Sequence, residues 1–337
     1  MTETTTDPAR AAAILAQGGI VALPTETVYG LAARWDRAVG IERIFAAKGR
    51  PSDNPLIVHL AQLRDLDPIA LRIPPAAATL LSHFAPGPLT VTLPRRPEVS
   101  DRITAGLPTV AVRIPAAPLF QEVLRIVGVP LVAPSANRSG RPSPTTWQAV
   151  LEELHGKIDA VLVGPPCAIG IESTVVDCCS SPPRLLRPGG ITLEQLCEVL
   201  PGIVPATAAG AAAATCTAAG AAEQSPLEHL PSPGMRHRHY APSVRVELVD
   251  DPHPLTPSPL AMYLGITPHG KPAEWGMHCC YSDIASYAHA LFAAFREGEQ
   301  RGFRTIYCQR VPKTGLGRGL MDRLERAALG SAAKDSC

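Results

Sequence analysis

KGRPSDNPLIVH, residues 48–59, is the most informative segment of this chain. It groups Lys48 and Arg50 with an amide and an imidazole, and its last four residues begin an apolar run. Arginine offers a planar fork of donors and lysine a compact point charge, so the pair suits a multiply charged anion. Glycine lets the backbone approach a ligand closely, and proline stiffens the loop. A solvated basic turn before a strand is the alternative for this segment taken alone.

On both sides of this segment, short apolar runs alternate with helical patterns. Strands are predicted at residues 20–23, 56–60, 89–93, 110–114, 130–133, 160–163 and 174–177. Helices are predicted at 8–17, with Asp7 as N-cap, and at 37–47, 76–84, 119–127, 146–154 and 192–200. The elements mix without a strict βαβ period, and the sequence has neither GxGxxG after its first strand nor GxxxxGK[ST]. The pattern predicts an α/β domain with a twisted, mostly mixed sheet over residues 1–203.

Composition limits the class of protein. Of the 337 residues, 46% are apolar and 18% charged, enough to bury the core of one large domain or two ordinary ones. A net charge of +1 lacks the electrostatic footprint of a dedicated nucleic-acid binder. The nine cysteines show no CxxC spacing, so we expect reduced thiols and no structural zinc. Without a membrane-length apolar run or a secretory N-terminus, the protein is predicted to be cytoplasmic with no membrane partner.

The composition changes sharply at Pro205. Residues 206–222 are nearly all Ala, Thr and Gly, and a basic, Pro-rich segment follows at 232–242. These features predict a linker at 204–243 with a flexible first part. A smaller C-terminal α/β domain with a parallel sheet is predicted at 244–330. Its elements are two strands, a helix at 283–295, a strand at 305–308 and a helix at 320–328.

Four polar clusters interrupt the apolar pattern of the first domain, at strand ends or on loops, where binding groups concentrate. They are PTETVYG (24–30), KGRPSDNPLIVH (48–59), TVAVRIP (109–115) and APSANRSGRPS (133–143). The first supplies hydroxyls, and the last resembles a nest for phosphate or ribose because small donors lie near two arginines. ESTV (172–175) and LLRPGG (185–190) have the same character. Ordinary capped or solvated turns are the alternative for each.

Two side chains inside predicted strands need partners. Arg113 shares a strand face with Thr109 and Ala111, in an apolar setting where an unpaired guanidinium is costly. An internal Asp or Glu and a ligand carboxylate are equally good partners from the sequence alone. His59 lies in LIVHL (56–60), where a ligand contact is weighed against a core histidine bonded to a backbone carbonyl.

The clusters contain no nucleophile-and-base arrangement. The sequence has no GxSxG elbow, no cysteine in a recognisable catalytic frame and no paired carboxylates within the clusters. The clusters instead supply donors and positive charge, which suit a reaction catalysed by positioning and electrostatic stabilisation.

Taken in order, the segments closely resemble the YrdC-like L-threonylcarbamoyladenylate synthases, in their two-domain branch. The matching pieces are PTETVYGL (24–31), KGRPSDNPLIVH (48–59), FAPGPLTVTL (84–93), TVAVRIP (109–115), APSANRSGRPSPT (133–145), ESTVVD (172–177), LLRPGGIT (185–192), SPGMRHRHYAP (232–242) and LGRGLMDRLERAA (316–328). The resemblance implies a YrdC-like twisted mixed sheet with helices, plus a smaller Rossmann-like C-terminal domain.

The resemblance also implies a reaction. L-threonine, bicarbonate and ATP, with Mg²⁺, would give threonylcarbamoyl-AMP and pyrophosphate, which is nucleotidyltransferase chemistry. A partner transferase enzyme would then modify adenosine in tRNA, with at most weak direct tRNA binding by this chain.

The resemblance also assigns roles to residues of this sequence. The implied L-threonine site is Thr27, His59, Arg113, Ala133 and Ser173. The implied ATP site is Arg50, Asn54, Thr109, Ser135, Ser143, Arg187 and Tyr240. Lys48 and Asn137 are the implied catalytic residues, which would help to hold the triphosphate and the transition state.

One mechanical hypothesis and two rival functions accompany this interpretation. Arg236, His237, Arg238 and Tyr240 follow the flexible stretch and are predicted to close over the nucleotide as a lid, with a rigid interdomain strap as the alternative. A non-catalytic RNA-binding module is the first rival, and the near-zero net charge argues against it. A carbamoyl-transfer enzyme of the hydrogenase-maturation kind is the second, but its acylphosphatase and zinc-finger-like modules are missing from this sequence.

Overall fold

The computed structural model describes residues 1–206 and 239–332. Residues 207–238 hold most of the predicted linker, including Arg236, His237 and Arg238 of the lid hypothesis, and lie outside the described residues. Within the described ranges, none of the helices combines the length and the apolar character needed to cross a bilayer.

The N-terminal domain is built on an 11-stranded mixed sheet, as the sequence predicts. Its strands are β1 (Glu3–Thr5), β2 (Val21–Leu23), β3 (Gly30–Arg34), β4 (Ile57–His59), β5 (Leu89–Pro94), β6 (Thr109–Arg113), β7 (Leu131–Val132), β8 (Ala160–Leu162), β9 (Thr174–Asp177), β10 (Arg184–Arg187) and β11 (Val204–Pro205). Their order is β1-β8-β2-β3-β7-β4-β6-β5-β9-β10-β11. The sheet contains both parallel pairs, such as β4–β6, and antiparallel pairs, such as β5–β6. The structure adds β1, β3, β10 and β11, which the sequence patterns did not predict, and β11 lies inside the predicted linker.

Helices pack on this sheet, and local sequence signals set their ends. They are α1 (Pro8–Ala16), α2 (Ala38–Lys48), α3 (Pro75–Phe84), α4 (Asp101–Thr104), α5 (Pro118–Val127), α6 (Trp147–Leu154) and α7 (Leu193–Val199), with a 3-10 helix at Leu63–Leu66. The Asp7 side chain accepts from the first turn of α1, and Thr192 forms a capping box with Gln195 in α7. Helix α2 ends at Lys48 because Gly49 adopts a left-handed conformation, with φ of 58°. That turn begins the basic loop.

The C-terminal domain has a four-stranded, fully parallel sheet in the order β12-β15-β13-β14, which confirms the predicted parallel sheet and has one strand more than the three that the sequence predicted. The strands are β12 (Arg245–Val249), β13 (Ala261–Gly265), β14 (Met277–Cys280) and β15 (Thr305–Gln309). The helices are α8 (Ile284–Gln300) and α9 (Leu316–Ala332), both longer than predicted, with a 3-10 helix at Pro272–Glu274.

The two domains share an apolar core. Val28 and Ile171 of the N-terminal domain pack in one buried cluster with Phe292 of α8 and Leu320 of α9. Ion pairs also join the two domains, for example Arg141–Glu299 and Arg296–Glu153. The C-terminal domain therefore packs against the loops that follow β7 and flank β9.

Candidate functional site

One cavity lies where the polar clusters meet. It encloses about 550 Å³, including its open mouth. Its lining is Thr27, Val28, Arg50, Ile57, Arg113, Pro134, Ser135, Asn137, Ser143, Glu172, Ser173, Arg187, His239 and Tyr240. Most of the predicted site residues are in this set, and they come from strand ends and adjoining loops. In particular, Arg50, Arg113 and Ser135 face the same space although they are far apart in the sequence.

Arg113, at the end of β6, is paired inside the protein. Its guanidinium lies 2.7 Å from a carboxylate oxygen of Glu26 and donates to the hydroxyl of Thr27 at 2.9 Å. Burial alone would raise the pKa of Glu26, but the neighbouring guanidinium overrides it and holds that pKa below its ordinary value. Of the two partners left open by the sequence, the internal carboxylate is present. The arginine still lines the cavity, so it presents positive charge and an oriented threonine hydroxyl to a ligand.

Ser173 and Arg187 form the wall beside β9 and β10. Arg187 donates to the carbonyl of Ser173 at 3.0 Å and to its hydroxyl at 3.2 Å, and that hydroxyl also bonds Thr90 at 2.8 Å. Burial is the main cause that lowers the pKa of the Arg187 guanidinium. These bonds fix the guanidinium before any ligand arrives, which is the preorganisation that anion binding requires.

Arg50 is held by its own loop. It donates to the Asn54 side chain at 2.8 Å and to the carbonyl of Pro55 at 2.6 Å. Burial, followed by the like charge of Arg187, lowers the pKa of Arg50 to about 9, so the group stays cationic at neutral pH. Asn54 is thus the support of Arg50, and its amide also lies 3.5 Å from the His239 ring.

Lys48 lies behind the cavity wall. It is buried, and its ammonium donates to the carbonyls of Ser135 and Asn137, both at 2.5 Å. Burial, followed by the charge of Arg50, lowers its pKa well below the ordinary value. Lys48 therefore fixes the loop after β7. The side-chain amide of Asn137 donates to Arg138 and Arg141 carbonyls, while its oxygen has no hydrogen-bond partner among the described residues.

Five predicted residues lie outside the cavity lining: besides Lys48 and Asn54, they are His59, Ala133 and Thr109. His59 is buried, bonds the Ile57 carbonyl at 3.2 Å and packs 5.1 Å from the Phe120 ring, which are the contacts of a core histidine. Burial, followed by the charge of Arg113, lowers the pKa of His59 to about 3, so its ring is neutral. Ala133 is buried where β7 ends, and Thr109 begins β6 at the end opposite Arg113. Their ligand roles stay predictions.

The chain after the undescribed segment returns to the cavity at His239 and Tyr240. Tyr240 is buried, and its backbone is left-handed with φ of 65°, a conformation that a bulky residue adopts only when its surroundings hold it. Its ring stacks on Phe292 of α8 at 5.6 Å. The next amide, of Ala241, donates to the Gly140 carbonyl at 3.0 Å.

Sequence reasoning missed some lining residues, although each lies in or beside a motif that it singled out. They are Val28, Ile57, Pro134, Glu172 and His239. Glu172 is the important omission, because it is the carboxylate in a lining that holds three guanidinium groups. Its place at the start of ESTV was a usable signal. Among the described residues, no group of three or more acidic, histidine or cysteine side chains is arranged to hold a metal ion.

The sheet and the cation-lined cavity at its strand ends define a two-domain α/β protein of the YrdC type. The family model described as "Telomere recombination" matches residues 13–189. A second model, described as "Threonylcarbamoyl-AMP synthase, C-terminal domain", matches residues 191–329. The chain belongs to the threonylcarbamoyl-AMP synthase family, in its two-domain branch.

Individual relatives are similar over nearly the whole chain. A threonylcarbamoyl-AMP synthase of Bacillus subtilis is 38% identical, over 97% of this chain and 94% of the relative. One of Pyrococcus abyssi is also 38% identical, over 94% and 93%. The crystal structure of P. abyssi Sua5 complexed with L-threonine has a TM-score of 0.83 at 34% identity and covers 98% of both chains. The similarity to these relatives spans both domains.

Proposed function

We propose that this chain condenses L-threonine, bicarbonate and ATP to threonylcarbamoyl-AMP and pyrophosphate. One observation carries the proposal: Arg50, Arg113 and Arg187 line a single cavity together with serine and threonine hydroxyls. The substrates carry a carboxylate and a triphosphate, and bidentate arginine donors suit both groups. The relatives that span both domains have the same activity in their names.

The cavity divides into two parts under this proposal. L-threonine would bind beside Thr27, Arg113 and Ser173, with its carboxylate on the guanidinium that Glu26 orients. ATP would bind beside Arg50, Ser143 and Arg187, with Tyr240 over the nucleotide. His59 and Ala133 would support the first part, and Asn54 and Thr109 the second.

The reaction needs little proton transfer once the carbamate exists. The threonine amine and bicarbonate give a carbamate and water, a carbamate oxygen attacks the α-phosphorus, and the bond to pyrophosphate breaks. Negative charge spreads over the phosphoryl oxygens in the transition state, so fixed cations are the groups that accelerate the step. We propose that Lys48 acts by holding the loop that presents Ser135 and Asn137.

Mg²⁺ would enter as part of the substrate. The described residues lack a cluster of metal ligands, whereas Mg²⁺ is commonly held by substrate phosphates and water with few protein contacts.

The transferase partner, weak tRNA contact and cytoplasmic location belong to the same proposal. The lid hypothesis concerns residues mostly outside the described ranges and stays a prediction.

A direct assay tests the function. We expect pyrophosphate release from ATP that depends on both threonine and bicarbonate, with threonylcarbamoyl-AMP identified by mass. Arg50→Ala should lower kcat/KM about a hundredfold or more, because a fixed cation is lost from the transition state. Arg10→Ala is the matched control, since Arg10 is an exposed arginine paired with Glu3 and is not among the lining residues. Equal turnover with serine, glycine or no amino acid would refute the threonine assignment.

A further inference from the structure

Helix α9 of the C-terminal domain brings a buried cation to the back of the cavity wall. The Arg323 side chain is 0% exposed, and its guanidinium lies 2.9 Å from a carboxylate oxygen of Glu172. It also donates to the carbonyl of Pro188 at 2.5 Å, next to Arg187, and contacts Asp322 at 3.1 Å. Arg323 does not line the cavity, whereas Glu172 and Arg187 do.

Two glycines allow close packing around this contact. A Cβ on Gly189 would lie 2.3 Å from the carbonyl oxygen of Glu172, so no side chain fits at that position. Gly319, one turn before Arg323, faces it: a Cβ there would lie 3.5 Å from the Cα of Gly189 and 3.0 Å from Ile171. This close packing allows the Arg323 guanidinium to reach both the Glu172 carboxylate and the Pro188 carbonyl.

Glu172 links Arg323 to Ser143, a residue of the proposed ATP part. Its second carboxylate oxygen accepts from the hydroxyl of Ser143 at 2.5 Å. Without Arg323, a nearly buried carboxylate would face the space proposed for phosphates, where like charge opposes binding. With Arg323 behind it, the negative charge of the Glu172 carboxylate is balanced by the guanidinium. Arg323 and Ser143 together set the orientation of the carboxylate.

The same guanidinium also supports Tyr240. It lies 5.4 Å from the centre of the Tyr240 ring, within cation–π range, while Phe292 stacks on that ring. Arg323 thus contacts Tyr240 of the proposed ATP part directly and reaches Ser143 through Glu172. Its contacts do not include Thr27 or Arg113, which belong to the proposed threonine part.

We propose that Arg323 is a positioning residue for the ATP part of the site, acting through Glu172 and Tyr240. The C-terminal domain then completes the nucleotide wall of a site whose lining comes from the N-terminal domain and from His239 and Tyr240. This inference rests on the proposed function, because it assigns the wall to ATP.

The test separates ATP from threonine in steady-state kinetics of the full chain. Arg323→Met should raise the KM for ATP about tenfold or more while the threonine KM at saturating ATP stays within about twofold. Arg323→Lys, which keeps the charge, should recover part of the loss. Arg318→Met is the matched control: it lies on the same helix and removes an interdomain pair with Glu194, away from the lining, so neither KM should change.

A double-mutant cycle tests whether the effect passes through Glu172. Because Glu172→Gln removes the charge that Arg323 neutralises, the double variant should be no worse than the more affected single variant. It also provides a folded comparison if Arg323→Met alone, with its unpaired buried carboxylate, fails to fold.

Several outcomes would overturn the inference. They are an unchanged KM for ATP, equal increases in both KM values together with a lowered Tm, and single-variant effects that multiply in the double variant. Failure of the proposed function is distinguishable, because the wild-type chain would then form no threonylcarbamoyl-AMP in the same assay.

Discussion

Two buried arginine–glutamate pairs flank the cavity, and they present opposite partners to it. In the Arg113–Glu26 pair the arginine lines the cavity and the glutamate lies behind it. In the Arg323–Glu172 pair the glutamate lines the cavity and the arginine lies behind. All four side chains are largely buried, between 0% and 14% exposed.

The pairs also differ in origin. Arg113 and Glu26 both belong to the N-terminal domain, whereas Arg323 comes from the last helix of the C-terminal domain. The Arg113–Glu26 pair presents a cation to a ligand. In the Arg323–Glu172 pair, the arginine balances the negative charge of a carboxylate that lies where phosphates would bind. One part of the site is therefore complete within a single domain, and the other depends on the contact between two domains.

The largest effect is expected from breaking the pair inside the N-terminal domain. Arg113→Met should lower the free energy of unfolding by about 3–5 kcal/mol, since it leaves Glu26 buried without its cation. It should also abolish threonine-dependent pyrophosphate release. Denaturant unfolding and the turnover assay measure the two effects.

The matched double variant separates stability from function. Arg113→Met with Glu26→Gln should regain much of the lost stability, because no unpaired charge remains. Turnover should stay absent, because the cation that faces the cavity is still missing. Recovered turnover in this double variant would contradict the role given to Arg113.

The sequence predicted local features well and long-range partners poorly. The N-cap at Asp7 and the helices at 8–17 and 192–200 depend on neighbouring residues, and the structure confirms these helices as α1 and α7. Strand β3, in contrast, has the sequence GLAAR, with neither alternation nor β-branched residues, and becomes a strand through its pairing with β2 and β7.

The same limit applies to the site. The polar clusters predicted most of the lining, because binding groups were visible at strand ends. The partners of its charged groups were not visible: Glu26 lies 87 residues before Arg113, and Arg323 lies 151 residues after Glu172. Such pairing is decided by tertiary packing, which no local pattern encodes.

A smaller effect is expected from His59, which neighbours the first pair. Its pKa of about 3 lies below that of an unfolded histidine, about 6.5, so the unfolded chain binds the extra proton between these values. His59 therefore makes stability decrease as pH falls from about 6.5 towards 3, by at most about 1.4 kcal/mol per pH unit. His59→Gln should reduce this slope in denaturant unfolding measured at several pH values. An unchanged slope would show that the histidine is not buried in its neutral form.

The smallest effect is expected at the rim of the domain contact. Glu299 accepts from Arg141 at 2.6 and 2.7 Å and also from Ser243, yet none of these residues lines the cavity. Glu299→Gln should lower the free energy of unfolding by about 1 kcal/mol, because Arg141 keeps its contact with Glu153. The KM for ATP should stay within about twofold of the wild-type value. Were it to rise as far as in Arg323→Met, domain contact in general, and not the charge behind Glu172, would control the nucleotide wall.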